Sequence, residues 1–128
     1  MNLHSIANDL RQTVDAAKAK LVALDAKTVT HRPAADRWTI AEVVGHLIDS
    51  AANNHQRFVR AALQGELTFP GYEQDKLVDL QNFREMDWDF LVDLWTSYNR
   101  FLAHVLAVLP ANAAGIICDI GSSAPATL

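Results

Sequence analysis

The sequence predicts an all-α protein, a helical bundle with three long helices present. Apolar residues recur three or four positions apart over three separate stretches, the period of one helix face. The segments between them are polar and punctuated by proline and glycine, as connections are. Strand-like alternation is nearly absent. With 128 residues, the chain is expected to form a single domain over 1–128.

The first stripe is Leu3, Ile6, Leu10, Val14, Ala17, Leu21 and Leu24, one face of an amphipathic helix. "DAKTVTHRPAADRW" breaks the pattern and reads as a loop. The second helix has a well-marked start, because Thr39 with Glu42 three residues on is a capping box. Trp38 before the cap and Val43 after it predict a hydrophobic staple. The helix is expected to run to Gln64, with Gly65 as its stop. After the turn-rich "GELTFPGYEQ" a short helix is expected around residues 73 to 82. Asp87 caps the third long helix, with a stripe of Leu91, Leu94, Trp95, Tyr98, Leu102, Val105 and Leu109, and Pro110 ends it. A short extended piece is expected at Ile116 to Ile120. Long amphipathic helices commonly assemble in fours. The final "APATL" reads as the first turn of a fourth helix, so the bundle is expected to be incomplete at its C-terminus.

Composition excludes several function classes. No apolar run reaches the roughly 18–20 residues of a membrane span, and "MNLHSIANDLRQ" lacks the pattern of a signal peptide. The net charge of −4 and the absence of clustered Lys and Arg argue against nucleic-acid binding. A single cysteine, Cys118, precludes an internal disulfide and fits a cytoplasmic protein. With no histidine close in sequence, it does not read as a nucleophile.

Histidines supply the remaining chemical candidates. His4, His31 and His104 read as surface residues. His55 falls on the apolar side of the second helix, near Ile48, Ala51 and Val59 in projection, and is expected as a core or interface residue with one satisfied hydrogen bond. His46 differs. At about 100° per residue, His46, Ser50, Asn53 and Arg57 form one polar row on that helix. The row is either a wetted surface or the lining of a cleft in the bundle.

"RPAADRWTIAEVVGHLIDSAANNHQRF" resembles the DinB-like superfamily, in particular its small metal-dependent hydrolases and thiol S-transferases. The resembling features are Arg32-Pro33, Trp38 before the Thr39 cap, Glu42, "GHLIDS", and Arg57-Phe58; "ELTFPGYEQD" also fits. The resemblance implies a four-helix bundle whose three histidines hold a divalent metal such as zinc or nickel. His46 corresponds to one ligand. The other two lie in that family on an H-x-x-x-H pair of the last helix, which these 128 residues do not contain. Three imidazoles leave an open position for activating water or a thiolate, whereas one imidazole cannot set that geometry.

Two functions follow. In one, the chain is an incomplete DinB-like metal-dependent hydrolase or low-molecular-weight thiol transferase acting on a small molecule, inactive in this form. His46 is then a metal ligand, Ser50, Asn53 and Arg57 line the substrate pocket, and the Arg57 fork orients an anionic group. In the other, the chain is a non-catalytic helical module that acts through a homodimer or another partner.

Overall fold

The computed structural model describes residues 2–68, 73–115, 117–119 and 125–127. Five helices run in the order α1 (Leu3–Leu21), α2 (Ala26–Thr30), α3 (Ile40–Gln64), α4 (Gln74–Gln81) and α5 (Trp88–Val108). A 3-10 turn, Phe83–Glu85, joins α4 to α5, and another, Ala111–Gly115, follows α5. Three short strands, β1 (Glu66–Thr68), β2 (Ile117–Asp119) and β3 (Pro125–Thr127), form one small sheet. β1 is parallel to β2, and β2 is antiparallel to β3.

The architecture is a helical bundle organised around α5. Both α1 and α3 pack along α5, and they make hardly any contact with each other. A helix used from two sides must be apolar over a wide arc. Accordingly Leu91, Val92, Trp95, Thr96, Asn99, Leu102, Ala103, Val105 and Leu106 are all buried. The single stripe read from the sequence captures part of this arc. Leu94 and Tyr98 are only half-buried, while Ala103, outside the stripe, packs with Leu3 and Ala7 of α1. The two buried polar residues are satisfied within the helix: Thr96 Oγ1 donates to the Val92 carbonyl at 2.8 Å and Asn99 Nδ2 to that of Trp95 at 2.9 Å. Trp88 Nε1 donates to the Leu21 carbonyl at 3.0 Å, so the start of α5 satisfies one of the free carbonyls at the end of α1.

Three differences from the sequence reading have local causes. Within the expected loop after α1, Ala26–Thr30 is helical because the Asp25 carboxylate accepts the Thr28 N–H at 2.7 Å and caps the turn. The connection after α3 includes β1, paired with the expected extended piece, now β2. Pro125–Thr127, expected as the first turn of a further helix, is instead an edge strand on β2. An edge strand tolerates proline, whose missing N–H costs no ladder bond there.

Several side-chain bonds converge on the start of α3. Glu42 N–H donates to Thr39 Oγ1 at 3.1 Å, and Thr39 N–H donates to Glu42 Oε1 at 2.9 Å. The expected capping box is therefore present. Arg32 adds a third connection, with Nη2 at 3.0 Å from Glu42 Oε1 and Nη1 donating to the Arg37 carbonyl at 2.7 Å. Burial pushes the Glu42 carboxyl up, but the Thr39 N–H, the Arg32 guanidinium and the Thr39 hydroxyl outweigh it and hold the group below its ordinary value.

About 100° around α3 from His46, Gly45 receives the Phe83 ring. A methyl added at Gly45 would land inside that ring, and Phe83 is buried in the main core with Val44, Ile48 and Leu91. Glycine is a poor helix residue, so its place in mid-helix here is set by packing and not by propensity.

Two outcomes are expected. Gly45→Ala should destabilise the fold by about 1–3 kcal/mol through overpacking, despite alanine's higher helix propensity. In a denaturation double-mutant cycle the cost should shrink when Phe83 is already alanine. Arg32→Ala should cost about 1–2 kcal/mol at neutral pH, less than a fully buried pair because the guanidinium is one-third exposed. Because the Glu42 value is depressed on folding, its stabilisation is present above the ordinary carboxylate range and fades as pH falls through the depressed value. Wild type and variant should therefore converge in acid, as followed by unfolding curves from pH 7 down to pH 3.

Candidate functional site

Because α1 and α3 each pack along α5 and make few contacts with each other, a groove of about 360 Å³ opens between them. Leu10 and Val14 of α1 form one wall, Ala51 and Phe58 of α3 the other, with Trp95 and Leu102 of α5 between. Four polar side chains interrupt this apolar surface: Thr13, Ser50, Asn54 and Asn99.

The four residues of the predicted polar row separate when placed on this geometry. Ser50 lines the groove. Asn53 does not; its Nδ2 donates to the Asp49 carbonyl at 3.1 Å, one turn back on its own helix. The next residue, Asn54, turned about 100° further around, takes the groove position. His46 and Arg57 lie eleven residues apart, which is about 16 Å along α3 at 1.5 Å per residue. One small ligand cannot be held by both at once.

His46 is half-buried and packs against Trp38, with ring centroids 5.0 Å apart and planes at 41°. Trp38, the residue before the Thr39 cap, meets that histidine while Val43 remains 41% exposed. His46 Nδ1 is buried and has no hydrogen-bond partner among the described residues, and the same is true of Arg57 Nε. Buried polar nitrogens left in this way are uncommon and call for an explanation. About one turn beyond His46 on α3, Asp49 accepts hydrogen bonds from Gln81 Nε2 at 3.0 Å on each carboxylate oxygen, fastening α4 to α3.

The other histidines occupy the places expected of them. His4, His31 and His104 are exposed. His55 Nδ1 lies 3.3 Å from the Tyr98 hydroxyl, and its ring meets Phe101 edge-on at 5.0 Å. Among the described residues no three His, Cys, Asp or Glu side chains are grouped so as to hold a metal ion. His46 is therefore a single donor, and the described residues do not by themselves fit a three-ligand metal centre. No described helix is long and apolar enough to cross a membrane.

Asn54 and Asn99 were missed by sequence reasoning. Asn99 carried a usable signal, as a polar residue four positions after Trp95 and three before Leu102, within the apolar rows of α5. Asn54 carried none, since it stands beside a second asparagine and only the exact facing of α3 distinguishes the two.

This arrangement of helices is shared with a known structure. YfiT from Bacillus subtilis, described as a probable metal-dependent hydrolase with an unusual four-helix bundle topology, superposes with a TM-score of 0.78 at 17% identity, over 94% of this chain and 72% of that one. At this identity the likeness concerns the fold. No curated protein matches the sequence closely enough to add a function. The sequence itself matches the DinB superfamily over residues 9–117, a span that includes α2, α3, α4, α5 and most of α1. The chain belongs to the DinB superfamily.

Proposed function

We propose that the chain supplies the substrate groove and one metal-binding imidazole, that of His46, to a DinB-like metal-dependent enzyme. The reaction class is hydrolysis of a small molecule or transfer of a low-molecular-weight thiol. The observation that supports this most directly is the buried, unpartnered His46 Nδ1. An unsatisfied buried nitrogen costs about 1–3 kcal/mol, a cost that a ligated cation would remove. The Trp38 ring packed beside it restricts the orientation of the imidazole, as a metal ligand requires. The description of YfiT as a probable metal-dependent hydrolase points the same way.

One imidazole does not make a catalytic centre, so the further donors must come from outside the described residues, and no reaction step is derived through the ion. The chain's own residues have simpler parts. The apolar walls of the groove exclude water from a bound substrate, while Ser50, Asn54 and Asn99 offer hydrogen bonds at fixed heights along it. Arg57, three turns from His46, is suited to an anionic end of a long substrate through its planar donors. A reducing cytoplasm is the compartment that suits Cys118 and thiol chemistry.

A second reading is favoured by the groove itself. Its lining is chiefly apolar and runs between two helices that make few contacts with each other, the kind of surface that a second copy of the chain could cover. In this reading the module works by dimerising.

Two measurements separate these functions. Titration with paramagnetic Ni²⁺ should broaden amide NMR signals around His46, and His46→Ala should weaken the effect about tenfold or more. Broadening centred on His4, His31 or His104, with the His46 region unchanged, would sink the ligand assignment. The dimer reading expects concentration-dependent association in sedimentation equilibrium, abolished by Leu47→Lys, since Leu47 lines the groove and is 40% exposed. A monomer at every concentration excludes it.

A further inference from the structure

A second cavity, of about 490 Å³, lies between α2 and the 3-10 turn that precedes α5. It is lined by Lys27, Thr28, Thr30, His31 and Arg84. Three of these five side chains are basic and none is acidic. That grouping runs against the composition of the chain, in which 15 Asp and Glu outnumber 11 Lys and Arg.

The basic groups are also uncommitted. Arg84 Nε donates to the Thr30 carbonyl at 2.9 Å, which anchors the guanidinium to the cavity wall. Its terminal nitrogens have no carboxylate partner among the described residues, and neither does the Lys27 ammonium. The ion pairs found there are Arg32–Glu42, Lys76–Glu73 and Arg100–Asp15. Asp25, two residues before Lys27, is engaged with Thr28, accepting its N–H at 2.7 Å and its hydroxyl, and Glu85, which follows Arg84 in sequence, is not part of the lining. Thr30 Oγ1 donates to the Ala26 carbonyl at 2.7 Å. The two threonine protons are thus spent within α2, and the donors left to face the cavity are those of Lys27, His31 and Arg84.

We propose that this cavity binds a small multivalent oxyanion, a phosphate ester or a polycarboxylate, between Arg84, Lys27 and His31. The anchored guanidinium provides the paired donors that match two oxygens of one carboxylate or phosphate. Lys27 contributes a mobile point charge and His31 a ring N–H. All three side chains are exposed, so binding is moderate in strength and falls with salt. The site depends on neither His46 nor the groove, and it stands or falls separately from the metal reading.

The test is an amide NMR titration of the 128-residue chain at pH 7 and constant ionic strength, with pyrophosphate and citrate as probes. Saturable shifts are expected in residues 27–31 and at Arg84. Lys27→Gln and Arg84→Gln should each weaken binding about fivefold or more. Tighter binding of pyrophosphate assigns the site to phosphoryl ligands and tighter binding of citrate to carboxylates; either supports it. Shifts that do not saturate, or that saturate alike in wild type and both variants, overturn the proposal. Lys27 makes no hydrogen bond or ion pair among the described residues, so its variant remains decisive even if loss of the Arg84–Thr30 bond disturbs the turn.

Discussion

The carboxylate of Glu42 is the point on which the candidate site depends. It accepts the N–H of Thr39 and the guanidinium of Arg32 at once, so the irregular chain from Arg32 to Thr39 is closed into a loop against the first turn of α3. That closure brings Trp38 onto the helix at one place, about two turns beyond the cap, where His46 stands. Without it the indole would have no reason to lie over the imidazole. The charge is held in its ionised form by the bonds that perform this task, and the same residue therefore starts the helix, ties down the loop and orients the candidate ligand.

The groove has a different origin. It exists because α5 accepts a helix on each side and the two make few contacts across it. In the middle of that open face Asn99 returns its amide to the Trp95 carbonyl, and its oxygen remains the acceptor that the position can offer. Ser50 and Asn54 lie on the α3 side of the same surface. An apolar cleft with a few placed polar groups is the common form of a small-molecule site, and here those groups are spread along the cleft instead of gathered at one point.

Much of the fold was legible in the sequence because it is written in local signals. The capping box, the Gly65 stop and the Asp87 cap are each readable within four residues, and all three are present. His55 with its one partner and the three exposed histidines were legible from helix projection alone. The metal assignment of His46 rests on family likeness; the structure contributes its buried, unpartnered nitrogen. What was not legible depends on distant partners. Nothing local says that Asn54, and not Asn53, turns toward α1 and α5. The second buried row of α5 exists only because α1 returns across some eighty residues of chain, as the Asp15–Arg100 contact at 2.9 Å records. Strand β3 likewise depends on β2, and a short segment ending in "APATL" carries helix-start residues equally compatible with an edge strand.

The central place of α5 also bears on how the polypeptide can be made. During synthesis α1 and α3 leave the ribosome before the helix that both pack on, and they make few contacts with each other. Each must wait in water with its apolar stripe uncovered, and isolated helices of this length are only marginally stable. The full core can therefore close only once Trp88–Val108 has emerged. The nascent chain completes its core late, after the apolar faces of both earlier helices have been exposed to water.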